Sequence, residues 1–303
     1  MPALICGSLA FDTITTFPGR FAEQILPDQV HILNVSFLVP TLRREFGGCA
    51  GNIAYNLQAI GGTPVILAAL GVDGSDYLAR VKGWGADTSL IYRDTELHTA
   101  QCHITTDRDN NQITAFHPGA MSNAHQMAVP PRSDLTIGII APDGRDAMWQ
   151  HAHQMHTLGV PFIFDPGQQL PQFDGAEHRE ILGLARWVAV NDYEARMLQD
   201  RSGETPAQMS LRPNLQGVVV TLAEHGCELW IRGERVVVPG VKAAAVVDPT
   251  GCGDAFRAAM LYGLERGWDL PRCVALGNRI GAIKIAERGP QNHAIDPMLI
   301  GSA

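Results

Sequence analysis

Lysine is scarce in this 303-residue chain: Lys82, Lys242 and Lys284 are the only three among 23 basic residues. The shortage reads as a composition bias rather than a device. Positive charge is short overall, since 31 acidic residues leave a formal net charge of −8. Nucleic-acid binding, which relies on basic stripes to neutralise phosphates, is disfavoured on that ground. Charged residues make up only 18% against 46% hydrophobic, enough apolar material for a sizeable core and too much for a disordered chain. No run approaches the roughly 20 apolar residues that span a bilayer. Met1-Pro2-Ala3-Leu4-Ile5-Cys6-Gly7 lacks the basic start of a secretion signal. The six cysteines are scattered with no Cys-x-x-Cys pair, which fits a reducing compartment better than a disulfide framework. The expectation is a soluble cytoplasmic protein with neither a membrane nor a nucleic acid as partner.

Several motifs are missing too. There is no G-x-x-x-x-G-K-[ST], no G-x-G-x-x-G after the first strand, no G-x-S-x-G and no H-E-x-x-H. Of His151, His153 and His156, only the last two share a helix face, and a structural zinc site needs four ligands. The expectation there is a solvated helix surface.

What is present is alternation. The runs 4–7, 65–69, 135–140, 162–164, 187–190 and 217–221 are nearly continuous apolar stretches, as strands buried on both faces are. Helical patterns lie at about 49–61, 74–84, 144–158, 175–185, 192–199, 253–266 and 271–287. This order predicts an open parallel α/β sheet in one domain spanning 1–303. Three stretches, 11–17, 30–45 and 97–117, mix β-branched or aromatic residues with polar ones. They predict strands with one wet face, gathered as a small β-sheet lid over the main domain.

Two glycine-rich junctions carry the chemistry. In Val246-Val247-Asp248-Pro249-Thr250-Gly251-Cys252-Gly253-Asp254-Ala255-Phe256-Arg257, an extended run turns sharply into a helix. Backbone N–H groups at such a helix start, with the helix dipole behind them, suit a phosphoryl group. Asp254 falls in the first turn, where an ionised carboxylate can accept a proton from an attacking hydroxyl. A glycine turn capped by an aspartate would read the same way. In Phe46-Gly47-Gly48-Cys49-Ala50-Gly51-Asn52, Gly47 and Gly48 permit close backbone approach, and Asn52 sits where it could bond a hydroxyl-rich ligand.

Together the two segments resemble the two signatures of the ribokinase/PfkB carbohydrate kinase family, Gly-Gly-x-x-x-Asn at 47–52 and Asp-x-Thr-Gly-Ala-Gly-Asp at 248–254. The resemblance covers essentially the whole chain. It implies a three-layer α/β/α sandwich, ribokinase-like, with a β-sheet lid, and phosphoryl transfer from ATP with Mg²⁺ and a monovalent cation such as K⁺. It implies substrate contacts at Ser8, Asp12, Gly47, Gly48 and Asn52, an anion hole at Gly251, Cys252 and Gly253, and Asp254 as catalytic base. Asn191 and Glu194 of Asn-x-x-Glu would organise Mg²⁺ through water and help hold ATP. Thr221 through Gly226 would contact the nucleotide, and 285–291, with Gly289, would cover adenine and help hold the monovalent cation.

Within the family, three features resemble bacterial adenosine and nucleoside kinases. Gly253-Asp254-Ala255-Phe256-Arg257 places an arginine at the substrate side. The segment 111–121 offers Phe116 to stack on a base and Met121 to pack beside it. Asn34-Val35-Ser36-Phe37 looks like a lid strand whose serine, Ser36, contacts a nucleoside. The expected reaction is 5′-phosphorylation of an adenosine-, inosine- or guanosine-type nucleoside. The alternatives are a fructokinase- or ribokinase-type sugar kinase and a catalytically silent ligand-binding homologue. An exposed lid sheet would also let two copies pair as a homodimer. Departures from the family pattern are Cys252 for alanine, Pro249 for threonine and Ala223 for glycine. The stretch 165–169 lacks an arginine, whose charge Arg257 could replace.

Overall fold

The computed structural model describes residues 1–25, 34–109 and 111–296. In chain order the strands are β1 (Pro2–Cys6), β2 (Ala10–Thr16), β3 (Thr41–Gly47), β4 (Thr63–Leu70), β5 (Ile91–Arg93), β6 (Ala100–Thr106), β7 (Gln112–His117), β8 (Ile137–Ile140), β9 (Phe162–Phe164), β10 (Trp187–Asn191), β11 (Gly217–Thr221), β12 (Gly226–Ile231) and β13 (Glu234–Pro239). The helices are α1 (Phe21–Gln24), α2 (Cys49–Ala59), α3 (Ser75–Gly83), α4 (Arg145–Thr157), α5 (Gly175–Leu184), α6 (Asp192–Ser202), α7 (Pro206–Met209), α8 (Cys252–Glu265) and α9 (Leu270–Lys284).

Among the described residues, nine strands form the main sheet in the order β13-β12-β11-β10-β9-β8-β1-β4-β5, and four form a second sheet, β3-β2-β6-β7. Alternation of side chains along each strand of the main sheet feeds two separate cores. Ile5, Ile66, Ala68, Ala189 and Val219 point to the face covered by α2, α3, α8 and α9. Leu4, Cys6, Val65, Leu67, Val188, Val190, Val218 and Val220 point to the face covered by α4, α5 and α6. Both faces are therefore apolar, which is why the strands read as unbroken hydrophobic runs. Each fully buried aliphatic side chain contributes about 1.5–3 kcal/mol. The result is a three-layer α/β/α sandwich with a smaller sheet beside it. Among the described residues, no helix is long and apolar enough to cross a membrane.

The antiparallel edge departs from the parallel expectation. β12 and β13 pair with each other and with β11 in antiparallel register. Their link is the two-residue turn Arg232-Gly233, both at positive φ (51° and 82°), a geometry that matches the twist of a hairpin. β13 is mostly exposed, so it lacks the buried pattern that marks the central strands.

The second sheet also differs from its sequence outline. Of the stretch 30–45, residues 30–33 lie outside the described residues, as does Asn110 of the 97–117 hairpin. Residues 34–40 have no regular structure, and the strand begins only at Thr41 and runs on to Gly47. Ser36 is thus not on a strand; it is exposed in the segment before one. His151 is corrected as well. It is fully buried on α4, its Nε2 2.8 Å from Met127 O, among Met148, Ala152 and Met155. His156 is exposed, and His153 is half-buried 2.8 Å from Glu180.

Candidate active site

The candidate residues gather at the carboxyl ends of the parallel strands, where open α/β sheets leave a crevice. Ser8 follows β1, Asp165 follows β9, Asn191 ends β10 and Thr221 ends β11. The register of the small sheet adds a transverse row. Glu45 pairs with Asp12, Asp12 with Cys102, and Cys102 with Phe116. Directly paired residues share a face, so a carboxylate pair and an aromatic ring lie along one side of that sheet. Phe116 is 45% exposed.

The mouth of α8 is built by Gly251, its N-cap, in the left-handed region at φ 81°. A Cβ there would come within 2.6 Å of Pro290 Cβ, so the turn accepts only glycine. The Cys252 amide donates to Pro249 O (3.2 Å), and the next amides of the first turn have no acceptor within the helix. Amides so placed can receive an anion, with the dipole aligned behind them. Cys252 is half-buried, and burial pushes its thiol up to about 11. It stays protonated at neutral pH, which makes it a poor nucleophile.

Asp254 lies at this mouth, and α2 reaches it. Asn52 Nδ2 donates to Asp254 Oδ2 at 2.8 Å, joining the two motifs across the fold. Burial raises the Asp254 pKa to about 6, opposed chiefly by the Asn52 hydrogen bond, with Asp165 raising it and Arg257 lowering it further. The sequence expectation of an ordinary ionised carboxylate is thus modified. Asp254 is ionised to about 90% at pH 7 and protonates just below neutrality.

α2 is aimed by its own start. Gly48, its N-cap, has φ 83°, and a Cβ there would lie 2.6 Å from both Ala10 N and Ser8 O. Ser8 Oγ accepts from Cys49 N–H (3.1 Å) and Ser8 O from Ala50 N–H (2.9 Å). Ser8, expected at the substrate, thus also anchors this helix. Gly47 lies against the Asp12 carboxylate. Asp12 is raised to about 7, by burial first and then by Asp254, Glu45 and Asp248. A ligand donating hydroxyl hydrogens to Asp12 would relieve this crowding and favour its ionised form.

Arg257 needs a correction. Expected to face the substrate, it is buried one turn into α8. Its Nε and Nη2 donate to Asp165 (3.1 and 3.0 Å), and Nη2 also reaches Ala189 O (3.2 Å) and lies 3.9 Å from Glu194. The inward face of α8 turns it beneath the anion-binding mouth. Its Nη1 lies 3.5 Å from where a Cβ on Gly253 would sit, so its positive charge underlies the first turn. Met121 is also corrected: it packs with Ala10 and Ala100 in a small core.

Asn191 and Glu194 cap α6 reciprocally. Asn191 Oδ1 accepts from Glu194 N–H (2.7 Å), and Glu194 Oε2 from Asn191 N–H (2.8 Å). Burial raises the Glu194 pKa, Asp165 adds to the rise, and Arg257 opposes it. Among the described residues no group of three or more His, Cys, Asp or Glu could hold a metal ion. Asn191 and Glu194 offer oxygen donors, the ligand type Mg²⁺ takes while keeping several waters and leaning on phosphate oxygens. Thr221 Oγ1 donates to Val190 O (3.4 Å). Ala223 has φ 50° and Gly226 caps the same turn; the alanine strains the turn by about 1–2 kcal/mol. Gly289 N–H donates to Asp248 Oδ2 (3.0 Å).

Sequence reasoning missed the residues that hold Asn52. Gln291 Nε2 donates to Asn52 Oδ1 (2.9 Å) and to the Tyr77 hydroxyl (2.8 Å). Tyr77 donates to Gly47 O. Arg80 donates to Gln291 O (2.7 Å) and Oε1 (3.2 Å). Gln291 thus fixes which end of the Asn52 amide faces Asp254. No local pattern announces it; only the return of the chain after α9 places it there.

The family model for pfkB family carbohydrate kinase matches residues 20–297. A nucleoside kinase from Methanocaldococcus jannaschii is 28% identical over 262 residues, covering 86% of this chain and 85% of the relative. The structure of a Burkholderia thailandensis nucleoside kinase in complex with inosine is 47% identical, with a TM-score of 0.89, covering 99% of this chain and 96% of that one. The same enzyme in complex with ADP-inosine gives 48% identity and a TM-score of 0.86, covering 99% and 94%.

Proposed function

The chain belongs to the pfkB family of carbohydrate kinases, which transfer a phosphoryl group to an alcohol, and from that premise we propose that its acceptor is the 5′-hydroxyl of a nucleoside of adenosine, inosine or guanosine type, with ATP as donor. The observation that carries this reading is the 47% identity, across 99% of the chain, to a nucleoside kinase whose structure contains inosine. The row Asp12–Cys102–Phe116 supports it, because a carboxylate and an aromatic ring on one face suit a ribose diol and a base.

In this mechanism Asp12 accepts the ribose hydroxyls, with Gly47, Gly48 and Asn52 beside it, and Phe116 stacks on the base. Asp254 takes the 5′-hydroxyl proton as that oxygen attacks. The amides at the mouth of α8, from Gly251 to Gly253, stabilise charge on the transferring phosphoryl, and Arg257 underlies them. Thr221, Gly226 and Gly289 line the nucleotide side. Asn191 and Glu194 would hold Mg²⁺ through water, and that ion supplies neutralisation of phosphate charge. Closure of the small sheet as a lid would exclude water and limit ATP hydrolysis. The reading also assigns the protein to the cytoplasm and the small lid sheet to pairing of two copies as a homodimer.

A panel of nucleosides and free sugars with ATP and Mg²⁺, read by ADP release and by the position of phosphate in the product, tests the proposal. Nucleoside 5′-monophosphate is the expected product. Phosphorylation of fructose or ribose with every nucleoside inert would overturn it. So would tight nucleoside binding with no ADP release.

A further inference from the structure

Lys284, one of three lysines in the chain, ends α9 with its side chain fully buried. Lysine is almost never buried unless its charge is met. Here the ammonium donates to the main-chain oxygens of Asp248 (2.7 Å) and Glu287 (3.1 Å). These oxygens belong to different segments. Asp248 leads into the mouth of α8, and Glu287 lies in the turn after α9.

The same two segments are laced by further bonds. Val247 and Asp248 amides donate to Ile285 O (2.8 and 3.1 Å), and the Gly289 amide donates to the Asp248 carboxylate. Burial opposes the Lys284 charge and lowers its pKa; among its neighbours Asp248, Cys252 and Glu287 favour the charge and Arg43 opposes it. A buried positive charge bonded to two main-chain carbonyls, with the Asp248 residue beside it, has ligands of the kind a hard cation takes. Ammonium and potassium ions are nearly equal in radius. The cradle between the two loops is filled by this chain's own side chain, and the K⁺ implied by family resemblance does not fit there.

We propose that Lys284 is a tethered cation: its ammonium joins the 248–251 turn to the 285–291 loop, in place of a dissociable monovalent ion. The mouth of α8 is then ordered without K⁺. The tie reaches the base through known contacts. Pro290 packs against Gly251, and Gln291 orients Asn52, which bonds Asp254. The inference rests on α8 as the phosphoryl-binding mouth, whichever alcohol is the acceptor.

The test compares KCl with choline chloride at equal ionic strength, using an acceptor that the intact enzyme phosphorylates. Turnover of the unaltered protein is expected to be the same in both salts. Lys284→Ala is expected to lose about 10- to 100-fold in kcat/KM in choline chloride, the usual effect of removing a group that orients others. It should regain part of this in KCl or ammonium chloride, and its melting temperature should rise in those salts while that of the unaltered protein does not. Should Lys284→Ala fail to fold, Lys284→Met keeps the apolar stem and removes only the charge. Potassium activation of the unaltered enzyme overturns the proposal, as does full activity of either variant in choline chloride. An enzyme inert toward every acceptor would instead sink the functional reading, before any salt comparison begins.

Discussion

Replacing Asn52 with leucine removes the donor to Asp254 while keeping about the same volume. That donor is the largest influence opposing the burial that raises Asp254 to about 6. A hydrogen bond to a charged group is worth about 1.5–3 kcal/mol, and one pKa unit corresponds to about 1.4 kcal/mol. The Asp254 pKa should therefore rise by about one to two units in Asn52→Leu, to about 7–8. A general base works only when deprotonated, so raising its pKa removes the active form below the new value. At pH 7 the ionised fraction falls from about 90% to about 10–50%, a loss of roughly two- to tenfold. The assay is kcat/KM for the phosphoryl acceptor across about pH 5 to 9.5, which reports ionisations of the free enzyme. The acid limb should move to higher pH, and the gap between the two profiles should narrow towards the alkaline end to whatever the lost substrate contact costs. A loss of equal size at every pH would refute the reasoning, since Asn52 would then act on substrate binding and not on the base.

Asp254→Asn should lower kcat by about 10²–10⁴, the usual weight of a general base, with near-normal binding of both substrates by titration; turnover close to that of the unaltered enzyme would remove Asp254 from the mechanism. Asp12 works against stability. Its folded pKa, about 7, lies above the ordinary aspartate value of 3.8, so the folded state holds its proton more tightly, and stability falls as pH rises between those values. Asp12→Asn should accordingly raise the melting temperature of the ligand-free protein at pH 8 by about 2–5 °C while abolishing most activity, and a lowered melting temperature would contradict the crowding of carboxylates. Phe116→Ala should raise KM for a nucleoside about fivefold and leave KM for ATP unchanged, from the roughly 1 kcal/mol of an exposed aromatic contact; equal effects on both substrates would remove the ring from the base.

The central fold was readable because each layer obeys a local rule. Val218-Val219-Val220 is apolar without a break since both faces of β11 are covered, and the glycine turns before α2 and α8 show where those helices begin. Readability failed where exposure changed the pattern. β13 is an exposed edge strand and reads as surface. Ser36 falls in the stretch 30–45, whose mixed pattern and family likeness both predict a strand, yet 34–40 is irregular. His151 carries a polar label but takes the inward face of α4, which only packing against 127–129 reveals.

The candidate site divides in the same way. Gly48 and Gly251 take positive φ, a local demand for glycine, so Gly47–Asn52 and Asp248–Asp254 are visible as motifs in the chain itself, while Ser8, Ala10 and Pro290 close the space for a Cβ from about 40 residues away. The meeting of Asn52 with Asp254, the grip of Gln291 on Asn52, the burial of Arg257 against Asp165 and the ammonium of Lys284 between two loops are contacts across the fold. They exist because β1 lies between β4 and β8, which brings α2 and α8 side by side, and because the segment after α9 returns over both. Turn and capping preferences act within a few residues and are written in the order of amino acids. The pKa of Asp254, the charge beneath the mouth of α8 and the tie between its loops come from groups 36 to 239 residues apart in the chain, and folding alone brings those groups within bonding distance.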